Sequence, residues 1–176
     1  MSYTVWFTGL PNAGKTKLSC LLYIELKKLN LKLDLIDADI IRGDILSVLN
    51  YTKRERDINV RAVALCAKSL NRQGIITIAA ANVSIPQTLK DLYAYLDKLI
   101  LVYCRCPIEV LEARDQKQVY ELARAGRLPE FPGISDIYHE PPNPEITVYT
   151  DKETQQQSLD KVIAYLSNNY MIPSVI

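Results

Sequence analysis

The run Gly9-Leu10-Pro11-Asn12-Ala13-Gly14-Lys15-Thr16 satisfies the phosphate-loop pattern G-x-x-x-x-G-K-[ST] in full. Backbone N–H groups in such a loop converge on one point, and the helix that follows adds the positive end of its dipole. A nucleotide triphosphate suits that environment. Lys15 would reach its β- and γ-phosphates, and the Thr16 hydroxyl would ligate magnesium. A second constellation, Asp37 and Asp39, is spaced i, i+2, with Arg42 close behind. On extended backbone both carboxylates point to one side, towards the phosphate loop. There they would hold the metal's water shell and accept a proton from an attacking hydroxyl. The competing reading is a helix start, with Asp39 capping a helix that begins at Ile40. Further on, Arg56 and Asn59 share one helical face at i, i+3, although helix arginines more often meet solvent than a ligand anion.

These residues need a frame, and the pattern around them supplies one. Thr4–Thr8 is a short apolar, β-branched run before the loop, and Leu18, Leu21, Leu22, Leu26 and Leu29 form a helical stripe after it. A strand feeding a glycine loop that opens a helix is the context the motif requires, so a chance glycine turn is disfavoured. Strands are predicted over 32–36 (ending at Asp37), 75–80, 99–104 and 146–149. Thr52 should cap a long helix reaching about Gln73 and closed by Gly74, and Pro86 should open the next. Helices are also expected over 108–114 and 116–125, with a last one burying Leu159, Val162, Ile163 and Leu166. Strands alternating with helices predict an α/β domain of three layers, a parallel sheet of about five strands flanked by helices. Ligands should sit at the carboxyl ends of its strands.

Composition narrows the classes. A chain of 176 residues reads as a single domain, 1–176. With 21 basic and 20 acidic residues it carries no global field to recruit nucleic acid or an acidic membrane. Apolar runs fall short of a membrane span, and no charged-then-apolar leader opens the chain, so a cytoplasmic protein is expected. Cys20, Cys66, Cys104 and Cys106 lack metal-site spacing and read as buried, reduced thiols. His139, the single histidine, stands in a proline-rich loop and reads as solvated. That loop, 126–144, carries Phe131, Gly133, Ile134 and Tyr138, which suggests a lid that excludes water from phosphoryl transfer.

At these residues the sequence resembles the adenylylsulfate kinase (APS kinase) family. The family's F-T-G-L-S-G-A-G-K stands here as Phe7-Thr8-Gly9-Leu10-Pro11-Asn12-Ala13-Gly14-Lys15, and D-G-D-N-x-R as Asp37-Ala38-Asp39-Ile40-Ile41-Arg42. F-S-x-x-D-R-x-x-N-I-R is similar to Tyr51-Thr52-Lys53-Arg54-Glu55-Arg56-Asp57-Ile58-Asn59-Val60-Arg61. E-A-R-D-P-K-G-L-Y is similar to Glu112-Ala113-Arg114-Asp115-Gln116-Lys117-Gln118-Val119-Tyr120. A-R-A-G-E-I-x-x-F-T-G-I is visible from Ala123 to Ile134.

The resemblance implies a P-loop kinase fold with a lid over about 117–144. It implies a Mg-ATP enzyme that phosphorylates the ribose 3′-hydroxyl of adenosine 5′-phosphosulfate (APS), and a homodimer. Lys15, Asp37 and Asp39 would be catalytic, with Asp39 as base or orienting group and Thr16 and, through water, Asp37 at magnesium. ATP would lie against Gly9, Asn12, Ala13, Gly14, Lys15, Thr16 and Lys17, with Arg114 near its adenine. Asp39, Arg42, Arg56 and Asn59 would hold the acceptor, Tyr51 and Phe131 would sandwich its base, and Lys117 and Val119 would approach from the lid. Asn82 and Val83 would form the wall where the family has an I-S-P turn.

Departures cluster on the acceptor side. Val83 stands for the family's serine unless Ser84 moves into register. Ala38 replaces a glycine, Ile40 an asparagine, and D-x-P-Y-E reads Ser135-Asp136-Ile137-Tyr138-His139. Besides APS phosphorylation, two readings stand open. One is the same chemistry on another activated nucleotide, such as cytidine diphosphoramidate in capsular polysaccharide modification. The other is a nucleotide-binding module without transfer activity, which the retained Lys15, Thr16, Asp37, Asp39 and Arg56 oppose.

Overall fold

The computed structural model describes residues 2–44, 51–169 and 171–173. Five strands, β1 (Thr4–Thr8), β2 (Leu33–Asp37), β3 (Ile76–Ala80), β4 (Leu99–Arg105) and β5 (Ile146–Tyr149), form one sheet in the order β2-β3-β1-β4-β5. Every pairing is parallel, with Val5 opposite Ile78 on one side and Ile100 on the other. Parallel strands need crossovers, and the helices supply them: α1 (Lys15–Lys27), α2 (Ala38–Asp44), α3 (Lys53–Arg72), α4 (Pro86–Tyr95), α5 (Ile108–Ala113), α6 (Val119–Arg124) and α7 (Gln155–Asn168).

Alternation along β1 builds both cores. Val5 and Phe7 pack with Leu18 and Leu22 of α1 and Leu159 and Val162 of α7. Trp6 points the other way, among Val60, Val63, Ala64 and Ala67 of α3 and Leu92 of α4. Its indole Nε1–H donates to the Ala81 carbonyl at 3.0 Å, so this large ring is buried without an orphaned donor. Burial on both faces explains why the central strands read as continuous apolar runs. No helix among the described residues is long and apolar enough to cross a membrane.

Most predicted elements are present within a residue or two, and the differences have local causes. Thr52 does cap α3, in a capping box with Glu55, and Gly74 follows its end at φ 77°. The predicted helix over 116–125 is shorter. Gln118 adopts a left-handed φ of 55° and Asp115 takes the Tyr120 N–H, so α6 starts only at Val119. The expectation of four buried thiols fails at Cys66, which is exposed, and at Cys20, which is half-buried. Both lie on helix faces turned away from the sheet's apolar layers. Cys104 and Cys106 are buried, and burial pushes the Cys104 thiol up to about 12 and Cys106 in the same direction.

Candidate active site

The phosphate loop leaves β1 at the carboxyl edge of the sheet and enters α1. Gly9, at φ 145°, lies against β4: a Cβ there would meet the Cys104 carbonyl oxygen at 2.5 Å, so only glycine fits. Gly14 takes φ 89° as the N-cap of α1, and Asn12 also adopts a left-handed φ of 63°. Ala13 is buried, and its N–H closes the turn on the Leu10 carbonyl at 3.2 Å. Lys15 bends back over the loop and donates to the same carbonyl at 2.8 Å. Burial holds the Lys15 ammonium below its ordinary pKa, while Asp39 and Asp37 oppose that shift. The charge therefore sits among N–H donors with two carboxylates near. Lys17 is exposed on the first turn of α1.

Asp37 ends β2 and has both carboxylate oxygens engaged. Its Oδ2 accepts from the Thr16 hydroxyl at 2.6 Å and its Oδ1 from the Asp39 N–H at 2.8 Å. The backbone after Asp37 is therefore helical rather than extended, which corrects the expected i, i+2 alignment of the two carboxylates. It also shifts the expected cap: Asp37, not Asp39, receives an N–H at the start of a helix that begins at Ala38. Asp39 is left exposed in the first turn of α2, with its carboxylate within electrostatic reach of Lys15. Thr16 and Asp37 together present a hydroxyl and a carboxylate at the rim of the loop. Among the described residues no cluster of three or more His, Cys, Asp or Glu could hold a metal alone. A hard cation suited to this pair would arrive with phosphate oxygens and water as its remaining ligands.

Across the cleft, α3 contributes Arg56 and Asn59, both buried. Arg56 is 9% exposed and donates to the Tyr51 carbonyl at 2.9 Å, to the Glu130 carbonyl, and to Asp136 Oδ2 at 2.6 Å. The last two partners belong to the segment 126–144, which is thereby pinned to the start of α3. Glu130 adds a carboxylate contact to the Lys53 N–H at 2.7 Å. Asn59 donates to the Ala38 carbonyl at 3.1 Å, tying α3 to the turn between the aspartates. Arg42 is buried with its guanidinium 4.6 Å from the centre of the Tyr51 ring. Tyr51 itself is 57% exposed, whereas Phe131 is buried edge-on to Tyr120 at 5.0 Å between ring centres.

The third wall follows β3. Thr8 Oγ1 accepts the Val83 N–H at 2.9 Å, which fixes the turn. Asn82, Val83 and Ser84 line a narrow cleft with Arg56, and both Val83 and Ser84 are buried. Arg114 donates to the Thr150 carbonyl at 2.7 Å, beside the loop's Gly14. Lys117 is exposed ahead of α6, and Val119 packs half-buried against the core.

Sequence reasoning assigned no role to Thr8, Asp115, Tyr120, Glu130 or Asp136. Asp115 and Tyr120 lie in a motif already quoted, but their partners are remote. Pro11 is 109 residues from Tyr120.

The chain is similar to proteins of one family. The family model described as adenylylsulphate kinase matches residues 1–149. The adenylyl-sulfate kinase of Halothermothrix orenii is 40% identical over 163 residues, covering 93% of this chain and 88% of that protein. A probable bifunctional SAT/APS kinase 2 of Sorangium cellulosum is 36% identical over 97% of this chain, which spans only 29% of that relative's length. Among solved structures, the Mycobacterium tuberculosis APS kinase in complex with AMPPNP and APS superposes with a TM-score of 0.85. The identity is 28%, over 94% of this chain and 98% of that one. With its phosphate loop, its paired aspartates and a match of this extent, the chain belongs to the adenylylsulphate kinase family.

Proposed function

We propose that this chain transfers the γ-phosphoryl group of ATP to the ribose 3′-hydroxyl of adenosine 5′-phosphosulfate, giving 3′-phosphoadenosine 5′-phosphosulfate and ADP. The observation that carries the reading is the meeting of Lys15, Thr16, Asp37 and Asp39 at the carboxyl ends of β1 and β2, in a member of this family. Loop N–H groups and Lys15 hold the donor phosphates. Thr16 and Asp37 would hold magnesium, which would neutralise phosphate charge. Asp37 has both oxygens engaged, so Asp39, exposed beside it, orients the hydroxyl and takes its proton. Arg42, Arg56 and Asn59 hold the acceptor's anionic group and sugar, and Tyr51 and Phe131 its base. Asn82 and Val83 wall that base, with Lys117 and Val119 approaching from the lid. Arg114 lies near the adenine of ATP. The chain acts as one kinase domain whose lid is 117–144, and as a homodimer, which sedimentation would show as about twice 20.0 kDa.

A second acceptor is favoured by one specific observation. The wall lined by Asn82 and Val83 departs from the family pattern, and Asn82 keeps a buried amide oxygen without a partner there. A smaller amino-bearing base, as in cytidine diphosphoramidate, would meet that wall differently. The deciding experiment offers Mg-ATP with APS and with cytidine diphosphoramidate in parallel and identifies products by mass. Rapid 3′-phosphorylation of APS supports the first reading. An inert APS beside a productive cytidine substrate replaces it with the second. Transfer to neither removes both and favours a binding module.

A further inference from the structure

The phosphate loop is held from outside by a closed ring of hydrogen bonds. Asp115 Oδ1 accepts from Asn12 Nδ2 at 3.0 Å, and its Oδ2 accepts from the Tyr120 N–H at 2.6 Å. The Tyr120 hydroxyl returns to the loop and donates to the Pro11 carbonyl at 2.8 Å. Two successive loop residues, Pro11 and Asn12, are thus tethered to the junction of α5 and α6. Asn12 holds a left-handed φ of 63°, a conformation asparagine tolerates better than other residues with a Cβ, and its side chain is fixed there by Asp115. Tyr120 is 1% exposed, and burial raises the pKa of its hydroxyl far above the ordinary 10. It remains a donor at any working pH. The same ring packs edge-on against Phe131 of the lid.

We propose that Asp115 and Tyr120 are positioning residues for the nucleotide. They hold Pro11 and Asn12 so that the loop's N–H groups converge on phosphate, and they tie the loop to the lid-bearing helix α6. Neither touches the reacting atoms. The inference rests on the nucleotide-binding half of the proposed function and is independent of the acceptor.

The test measures binding of a non-hydrolysable ATP analogue with magnesium to the full chain, at a temperature where every variant is folded. Tyr120→Phe keeps the ring and its contact with Phe131 and removes only the hydroxyl. Its dissociation constant should rise about fivefold, the worth of one ordinary hydrogen bond. Asp115→Asn keeps the shape but retains one acceptor oxygen for two donors, and should weaken binding at least as much. Tyr120→Phe combined with Asn12→Ala should cost less than the sum of the two, because both open the same ring. A hydroxyl that served stability alone would lower the melting temperature and leave the dissociation constant unchanged. Unchanged binding in Tyr120→Phe and Asp115→Asn overturns the proposal. Failure to phosphorylate APS would leave this result standing, whereas no analogue binding by the unmodified chain would overturn the nucleotide reading with it.

Discussion

The donor and acceptor halves of the site differ in how completely their polar groups are satisfied. Around the phosphate loop, Lys15 bonds Leu10, Asn12 bonds Asp115, and Thr16 bonds Asp37. Among the described residues, the buried side-chain polar atoms without a partner are Arg56 Nε, Asn59 Oδ1, Asn82 Oδ1 and Tyr138 Oη. Three of the four belong to the acceptor side. A buried polar group left unmade is costly, and native structures keep few of them away from ligands or water. The donor half is therefore preformed, while the acceptor half still holds a donor and two acceptors for something to complete. The sequence departs from the family on that side too, at Ala38, Ile40 and Val83.

Lys15→Met strikes the donor half hardest and should lower turnover at least about a hundredfold, the usual loss when a charged transition-state donor is removed. It should also raise the melting temperature of the nucleotide-free protein. The sign follows from burial: folding lowers the Lys15 pKa below 10.5, so below that lowered value the buried ammonium opposes folding in full. As pH rises from the lowered pKa towards 10.5, the unfolded chain holds the extra proton and native stability recovers. The gap between variant and parent should therefore narrow at alkaline pH, as thermal melts would record. A variant that melts lower at every pH would remove the burial argument.

Asp39→Asn tests the border between the halves. Turnover should fall at least about tenfold through loss of the base, with analogue binding largely intact. Near-normal single-turnover rates would take Asp39 out of the mechanism.

Arg56→Lys probes the acceptor half alone. Arg56 meets Tyr51 and Glu130 from one nitrogen and Asp136 from another, a fork that a single ammonium cannot reproduce while also gripping an anion in two-pronged fashion. The acceptor KM should rise about tenfold, as expected for a lost charge-assisted bond, with the ATP KM unchanged. A rise in both would mean that the halves are not separable.

Asn82→Leu should have the smallest effect, changing the acceptor KM about threefold to tenfold, within the range for one hydrogen bond. Kinetics with the productive acceptor would show it, and no change would place the base elsewhere.

Much of the fold was legible because its signals are local. The phosphate loop is eight consecutive residues, Thr52 and Glu55 close their box within one turn, and the strands read as apolar runs. Where a local rule met a choice between two backbone states, it failed. Extended and helical geometries after Asp37 were both open in the sequence, and the Asp39 N–H on Asp37 Oδ1 selected the helix. Exposure of Cys66 was equally hidden, since helical periodicity does not say which face the sheet will cover.

The sequence by itself determined the order of strands and helices, the nucleotide loop and the identity of the charged groups, because these follow from neighbours a few residues apart. Tertiary structure alone decided which of those groups are already engaged. The Arg56–Asp136 pair closes over 80 residues, and Asn12 reaches Asp115 over 103. A carboxylate two bonds from saturation and one open to a substrate look identical in sequence. Only folding brings Thr16 to Asp37 and leaves Asp39 exposed beside it.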